Sequence, residues 1–585
     1  MMGPGRPRST SPAFPALGPR RDDSDGTVAF ERRLTLDSDL YLRDHVFGVI
    51  RSPQARDLSA LPVMPMVMTL ETLAEAGLAA SREGRAVVAA VERLRLHRWL
   101  TLDRGHLDLR VVARPQPGPE SALQRVDVEL FELDEAAPAG RWSAAEATVV
   151  LAAGLPPPPL GRRLGGESIE PRWSPERYVK ELIFQGPSLR CFHRLLRMTT
   201  EGIEAEVVVP PRDRLFRGDP APMLATAASL MDGAGQTVAR WVAEYWRGWD
   251  GLYPFSADGY EQFGPLPAPG ERLRCVATVT DEGHVAVADV DFQRPGGAVL
   301  FRYRGFRQRR FAMTAELAAC IRTHDADYAF ARPFDAGVGL LGCVFDGGHH
   351  DVVRPERAIF LQTIAHTVLT AREREAWRAI PQASPRRARW LMGRVAAKEA
   401  IRAWAGERHG LSLSPVEIEI ESDERGKPMA RFIGGALSIP ALEISISHAD
   451  TLAVAVVAED VSVGVDIEEE RDGTPRTVPE IAFADGELVE ATRAGVPPIA
   501  LWCAKEAAAK ALGVGLLGEP RRWRVQDLAS DGRTAVVSID GLCLPVTLHR
   551  RERALIAVAH ASREVAAEAR ESLRVAGQGE AKPAL

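Results

Sequence analysis

Two carboxylates on one strand, with a carboxylate and an ammonium on one helix, carry the strongest chemistry in the chain. Val463-Gly464-Val465-Asp466-Ile467-Glu468 closes a strand-like run. Residues i and i+2 of a strand project to one face, so Asp466 and Glu468 can meet a single cation. Downstream, Trp502-Cys503-Ala504-Lys505-Glu506-Ala507 opens a helical stretch that continues through Lys510. Glu506 and Lys510 are i,i+4 neighbours, and their face offers a third carboxylate to the cation and an ammonium to a phosphate. Carboxylate oxygens, substrate phosphates and water are the ligands that Mg2+ prefers. Upstream, Ser447-His448 follows a strand, and Gly426-Lys427-Pro428 makes a tight turn that presents a cation. Each piece alone also reads as ordinary surface: a solvated strand edge, an exposed helical ion pair, a turn histidine, a hairpin. Their order and spacing together point to phosphoryl chemistry.

A second set lies in the first half of the chain. Asp44-His45-Val46-Phe47-Gly48 precedes a helical stretch at 64–81, with Pro62 and Pro65 at its entry. A later helical stretch, 222–246, contains Asp232-Gly233-Ala234-Gly235-Gln236, which puts Asp232 and Gln236 on one face. Glycine costs ~1 kcal/mol against alanine inside a helix. Gly233 and Gly235 therefore imply close approach of another backbone or a ligand. Taken singly, Asp44-His45 reads equally as a loop pair, and Asp232 as a helix-surface carboxylate.

The elements that must position these residues fall into blocks. Strand-like runs at 28–36, 86–96, 106–113, 125–133 and 144–151 surround the first helix. Runs at 273–280, 284–293 and 299–307 follow the second helix, so one helix-and-sheet unit is repeated at low identity. The stretch LPPPPLGRRLGGES, 155–168, is a linker, since four prolines followed by glycines continue neither a helix nor a central strand. A third block mixes helices at 371–379, 386–405 and 500–512 with strands at 416–421, 443–447, 452–457, 461–467 and 554–559. The expected organisation is α+β: a flexible tail 1–26, units 27–154 and 169–312, a domain 326–562, and a frayed helix and tail 563–585.

Bulk properties narrow the function. A length of 585 residues is too great for one core. Net charge is −6 and the isoelectric point about 6.2, so nothing in the bulk charge points to nucleic acid or an anionic membrane as partner. The six cysteines form no C-x-x-C pair, so reduced thiols in a cytoplasmic protein are expected rather than a zinc site or disulfide framework. No apolar run approaches the ~20 residues that span a bilayer, and the N-terminus lacks the apolar core of a secretory signal. The run FRYRGFRQRRF, 301–311, carries five arginines among aromatics. It reads as an edge strand with one solvated face, the alternative being a docking surface for an acidic carrier protein.

The series GKP, SH, GVDIE and WxxKEA resembles the 4′-phosphopantetheinyl transferases of the larger, surfactin-synthetase-activating type. The resemblance covers roughly 330–560 and implies an α+β pseudodimer with coenzyme A between its halves. It puts Asp466, Glu468 and Glu506 on magnesium, and Lys427, Ser447, His448 and Lys510 on the phosphates of coenzyme A. Lys505 sits beside the catalytic glutamate and is included with the coenzyme A contacts. His366 to Thr370 with Glu373 resembles the family's early strand and helix start. Arg389 to Ala400 resembles its first-half helix, with Arg394 and Lys398 as extra phosphate contacts. The implied reaction moves phosphopantetheine from coenzyme A to a carrier-protein serine, with Glu506 as base and Lys510 neutralising the pyrophosphate. His448 is assigned to phosphate rather than to base duty. The alternative for this block is a non-catalytic coenzyme A binder.

The first half resembles polyketide-synthase dehydratases of double hot-dog fold, over about 27–312. The resemblance rests on DHxxxG with its proline-led helix, on Tyr178, on Gly186-Pro187-Ser188 and on D-x-x-x-Q. Many members carry fewer residues after Gly48, and their GYxYGP is here FQGPSL. The resemblance implies that His45 removes the α-proton of a β-hydroxyacyl thioester and that Asp232 protonates the departing hydroxyl. Gln236 orients that hydroxyl, and neither metal nor organic cofactor is required. The alternative is a catalytically silent scaffold that binds carriers. No carrier-like segment can be placed, so both blocks are expected to act on carriers of a polyketide or fatty-acid-type synthase supplied by another chain.

Overall fold

The computed structural model describes residues 14–22, 27–50, 59–81, 86–117, 123–135, 137–245, 250–322, 328–382, 384–424, 426–433, 440–469, 480–551 and 554–578. The chain divides into two compact units, one of Met1–Gly48 with Ala60–Thr323 and one of His324–Leu585 with Val49–Ser59.

The first unit is built on antiparallel pairing. Its strands are β1 (Arg20–Asp22), β2 (Val28–Thr35), β3 (Val46–Ile50), β4 (Ser59–Pro62), β5 (Val87–Leu96), β6 (His106–Pro115), β7 (Gln124–Leu133) and β8 (Arg141–Ala152), then β9 (Phe192–Thr199), β10 (Gly202–Val208), β11 (Gly251–Gln262), β12 (Arg272–Asp281), β13 (Val285–Gln293) and β14 (Val299–Phe311). Twelve of them form one sheet in the order β1-β2-β6-β7-β8-β5-β11-β14-β13-β12-β10-β9, while β3 and β4 pair separately. Helix α1 (Met66–Ala79) packs on β5 to β8. After the short α2 (Pro175–Glu181), the long α3 (Ala228–Tyr245) packs on β9 to β13. Each half of the sheet thus wraps one helix, and the halves join where β5 pairs with β11. This is the double hot-dog arrangement that the resemblance of the first half implies. The two helices need small residues to lie this close. A Cβ on Gly77 would sit 2.6 Å from Val149, and one on Gly233 2.9 Å from Cys191. Helix α4 (Ala315–Arg322) closes the unit.

Three expectations are corrected here. Of the expected N-terminal tail, residues 14–22 are folded. Ala16 is buried and donates its N–H to the Glu75 carboxylate at 2.8 Å, and β1 pairs with β2. Helix α3 starts at Ala228 rather than 222, because the preceding Ala225 and Thr226 N–H groups are taken by the Glu71 carboxylate; Trp246 lies outside the described residues. The arginine-rich run is not an edge strand, since β14 lies between β11 and β13. Four of its five arginines are ion-paired, Arg302 with Asp291, Arg304 with Glu261, Arg307 with Asp258 and Arg310 with Asp250, and Arg309 lies over the Phe255 ring.

The second unit holds β15 (Ala331–Asp335), β16 (Leu340–Asp346), β17 (Ile418–Ser422), β18 (Pro428–Phe432), β19 (Glu443–His448), β20 (Leu452–Ala458), β21 (Val461–Glu469), β22 (Arg524–Gln526), β23 (Thr534–Ile539), β24 (Leu542–Arg551) and β25 (Ala554–Ser562). They form a four-stranded sheet β15-β16-β20-β19, a five-stranded sheet β21-β25-β24-β23-β22 and the hairpin β17-β18. Helices α5 (Ala358–Val368), α6 (Ala371–Arg378), α7 (Pro385–His409), α8 (Glu487–Arg493), α9 (Pro498–Leu512) and α10 (Arg563–Gln578) complete it. Helix α7 lies on the first sheet and α9 on the second, which gives two similar helix-on-sheet halves. Residues 366–370 are not a strand. His366 to Val368 end α5, where Thr363 and Thr367 turn their hydroxyls back to carbonyls one turn earlier. Thr370 and Glu373 then form the capping box of α6.

Candidate active sites

In the second unit the strand β21 works on both faces. Val463, Val465 and Ile467 enter an apolar core with Val454, Val456, Ile556 and Val558. By alternation Gly464, Asp466 and Glu468 turn to α9. A Cβ on Gly464 would stand 2.0 Å from the Ala507 carbonyl oxygen and 2.4 Å from the Ala511 N, so only glycine lets the helix backbone lie on the strand. Ala504, Ala507, Ala508 and Ala511 keep that contact thin and are fully buried or nearly so. The close approach brings Glu506 and Lys510 to the Asp466 side of the strand.

The polar groups there form a connected set. Lys510 Nζ donates to Asp466 Oδ1 at 2.7 Å, to Ser447 Oγ at 2.9 Å and to the Val465 carbonyl at 3.1 Å. Ser447 Oγ donates to Asp466 Oδ1 at 2.7 Å. Two residues earlier on the same face of β19, Ser445 Oγ accepts the Val465 N–H at 2.9 Å, so alternate serines stitch the two sheets together at the site. Burial, followed by the charges of Asp466 and Glu468, raises the pKa of Glu506, and Lys510 opposes that rise. Three carboxylates therefore share one neighbourhood. The buried Cys503 thiol lies against the same group; burial and the charges of Asp466 and Glu468 hold its pKa well above the ordinary value, so it stays protonated. His448 ends β19, and desolvation, with Arg389 and Lys510 nearby, lowers its pKa.

Four sequence-derived candidates lie apart from this set. Lys505 is fully buried and points the other way, donating to Glu487 Oε2 at 2.7 Å and to the Ala482 carbonyl at 3.0 Å. Arg394 stacks on Trp390, its guanidinium 4.3 Å from the ring centroid. Lys427, on the turn that Gly426 makes at φ 83°, is ion-paired with Glu443. Lys398 is buried on Glu373 at 2.5 Å and repeats in α7 the part that Lys505 plays in α9. Arg389 is a residue the sequence reading passed over. Its signal was its place on the helix already singled out, five residues before Arg394.

In the first unit, His45 is buried with Nδ1 2.7 Å from the Val63 carbonyl oxygen. A carbonyl only accepts, so Nδ1 carries the hydrogen. Desolvation lowers the His45 pKa to about 4, which leaves a neutral ring with a basic Nε2. Asp232 accepts from Gln236 Nε2 at 2.8 Å. Desolvation pushes its pKa up to about 6, against side-chain hydrogen bonds from Gln236 and Gln185.

The segment Phe184-Gln185 joins the two. The Phe184 ring centroid is 5.0 Å from that of His45, and the next side chain reaches Asp232. The turn behind them is fixed by Asp44, whose carbonyl accepts the Gly186 N–H at 2.7 Å and whose Oδ2 accepts the Ser188 N–H at 2.8 Å. Gln236 is fully engaged in positioning. Its Oε1 accepts the Cys191 and Phe192 N–H groups at 3.0 Å each, and its Nε2 also donates to the Leu189 carbonyl at 2.8 Å. It holds Asp232 and the loop, rather than orienting a substrate hydroxyl as expected. The Tyr178 hydroxyl donates to the Gln236 carbonyl from a buried position.

Residues 462–562 match the model of the 4′-phosphopantetheinyl transferase superfamily. A holo-[acyl-carrier-protein] synthase of Geobacillus kaustophilus (strain HTA426) is 39% identical over 111 residues, 18% of this chain and 82% of that protein. Another from Lactococcus lactis subsp. lactis (strain IL1403) is 39% identical over 90 residues, 15% of this chain and 72% of that one. The first half overlays on a trans-AT polyketide-synthase dehydratase domain from Brevibacillus brevis at 15% identity and a TM-score of 0.39, covering 51% of this chain and all of that one. It overlays on the dehydratase domain of PpsC from Mycobacterium tuberculosis at 22% identity and 0.38, covering 51% and 99%. With Asp466, Glu506 and Lys510 gathered in the matched segment, the chain belongs to the 4′-phosphopantetheinyl transferase superfamily.

Proposed function

We propose that the second unit transfers 4′-phosphopantetheine from coenzyme A to a serine of an acyl or peptidyl carrier protein, and that the first unit dehydrates β-hydroxyacyl thioesters borne on such a carrier. The observation that carries the transferase reading is the junction of Lys510, Ser447 and Asp466, with Glu506 on the same helix face. The donor set is hard oxygen from Asp466, Glu468 and Glu506, which fits Mg2+ and not a soft metal. When bound, the ion supplies charge neutralisation at the pyrophosphate. Lys510 and Ser447 bind the phosphate oxygens, with His448 and Arg389 at the rim. Glu506, its pKa raised, accepts the proton of the attacking serine, and adenosine 3′,5′-bisphosphate leaves.

In the first unit, His45 Nε2 takes the α-proton. The C–O bond breaks as Asp232 gives its proton to the departing hydroxyl, and water leaves. The arm installed by one unit is the arm on which the other's substrate travels, and this chemical economy supports the pairing.

The test is incubation of the protein with an apo-carrier, coenzyme A and Mg2+, read by mass. The added arm is expected with the intact protein and not with Asp466→Ala or under chelation. Labelling that survives Asp466→Ala would overturn the metal assignment. Dehydration of a β-hydroxyacyl carrier that disappears in His45→Ala supports the second activity; no turnover by the intact protein leaves a carrier-binding scaffold.

A further inference from the structure

Tyr303 is a buried aromatic residue whose hydroxyl meets no hydrogen-bond partner among the described residues. It stands on β14 opposite Tyr260 of β11, fully buried, with ring centroids 6.0 Å apart in an edge-on contact. The Tyr260 hydroxyl accepts the Ala227 N–H at 3.3 Å and donates to Gln262 Oε1 at 2.9 Å. The pair therefore lies under the head of α3, beside the turn that carries Ser229 and leads to Asp232. Among the described residues the Tyr303 hydroxyl has no hydrogen-bond partner, and neither has the Ser229 hydroxyl. Ser229 and Asp232 are three residues apart on one helix and share a face. Burial, and then the charge of Asp232, raise the Tyr303 pKa, so the phenol keeps its proton and can donate.

A buried hydroxyl left unsatisfied destabilises a fold, and phenylalanine would fill the same space without that cost. We propose that the Tyr303 hydroxyl is a substrate contact, a donor to the oxygen that Asp232 protonates as it leaves as water. This rests on the dehydratase reading of the first unit. The assignment also explains how the leaving oxygen is held, since the Gln236 amide has no free donor or acceptor for it. The bonds made and broken are those of the elimination already written; Tyr303 contributes a hydrogen bond and transfers no proton.

The experiment compares the full chain with Tyr303→Phe, using 3-hydroxybutyryl pantetheine thioester and its enoyl product. The variant should melt at the same temperature as the parent or higher. Its kcat/KM for dehydration should fall about tenfold, the worth of one hydrogen bond at the transition state. Its affinity for the enoyl product, which lacks the oxygen, should be unchanged. Equal kcat/KM in parent and variant would overturn the assignment while leaving the dehydratase reading intact. A lower melting temperature would also overturn it, by showing that the hydroxyl has a partner within the fold. Absence of turnover in the parent would remove the dehydratase reading, and this inference with it.

Discussion

Asp44 and Ser188, 144 residues apart, are joined by a hydrogen bond from the Ser188 N–H to Asp44 Oδ2 at 2.8 Å. The bond ties the residue before His45 to the turn after Gln185, which touches Asp232. A Cβ on Gly186 would stand 2.2 Å from Asp44 Oδ1, so the turn approaches the carboxylate as closely as its backbone allows.

Asp44→Ala should therefore loosen the Phe184-Gln185 segment without touching either catalytic group. The loss of a charged acceptor serving a backbone donor is expected to cost about 1.5–3 kcal/mol. Dehydration should fall at least tenfold, and carrier modification by the second unit should be unchanged. Denaturant titration and both assays on one preparation check this. Equal dehydration rates would show that the turn needs no tether.

Gly464→Ala should abolish carrier modification. The added methyl meets the Ala507 carbonyl oxygen at 2.0 Å, so α9 must lift from β21 and carry Glu506 and Lys510 away from Asp466. Overpacking of this kind costs about 1–3 kcal/mol and occasionally more. Activity is expected to fall further than stability, because the misplacement falls on the catalytic helix. A variant that modifies the carrier at the parent's rate would show that the close approach is not needed.

Lys505 and Lys510 lie on one helix and should fail differently. Lys505→Met leaves the buried Glu487 carboxylate without its cation, expected to destabilise by about 3–5 kcal/mol, while the folded fraction keeps its KM for coenzyme A. Lys510→Ala removes a partly exposed cation, and should lower the melting temperature less than Lys505→Met does while kcat/KM falls on the order of a hundredfold. A raised KM for coenzyme A in Lys505→Met would return that residue to the binding site.

These cases show what was legible in the chain. Alternation on a strand is local, so the shared face of Asp466 and Glu468 could be read from spacing alone. The i,i+4 rule did the same for Glu506 with Lys510 and for Asp232 with Gln236. Adjacency misled at Lys505, because successive helical residues point about 100° apart, and a lysine next to a catalytic glutamate faces elsewhere. The roles of Gln236 and Asp44 depend on loops brought from distant sequence, which no local period encodes. The paired carboxylates along β14 likewise come from strands β11 and β13 and from Asp250 just before β11, so a run of arginines read alone looked like an exposed edge.

The pH dependence of dehydration should be narrow and acidic. His45 must be neutral, which holds above its pKa of about 4; Asp232 must be protonated, which holds below about 6. Between those limits kcat/KM should plateau, and above pH 6 it should fall tenfold per unit. Stability follows the same groups with opposite signs. The raised Asp232 pKa contributes stability below its unfolded value of 3.8 that is lost as pH rises through about 6, a change of up to about 3 kcal/mol. The depressed His45 pKa contributes stability above its unfolded value of 6.5 that is lost as pH falls through about 4, by a similar amount. The two nearly cancel in the intact protein. Asp232→Asn removes only the first, so the variant should be more stable than the parent at pH 8, lose that advantage near pH 4, and be inactive in dehydration throughout. Melting curves at the two pH values test the sign, and a variant less stable than the parent at pH 8 would show that the Asp232 carboxylate is ionised in the fold at no cost.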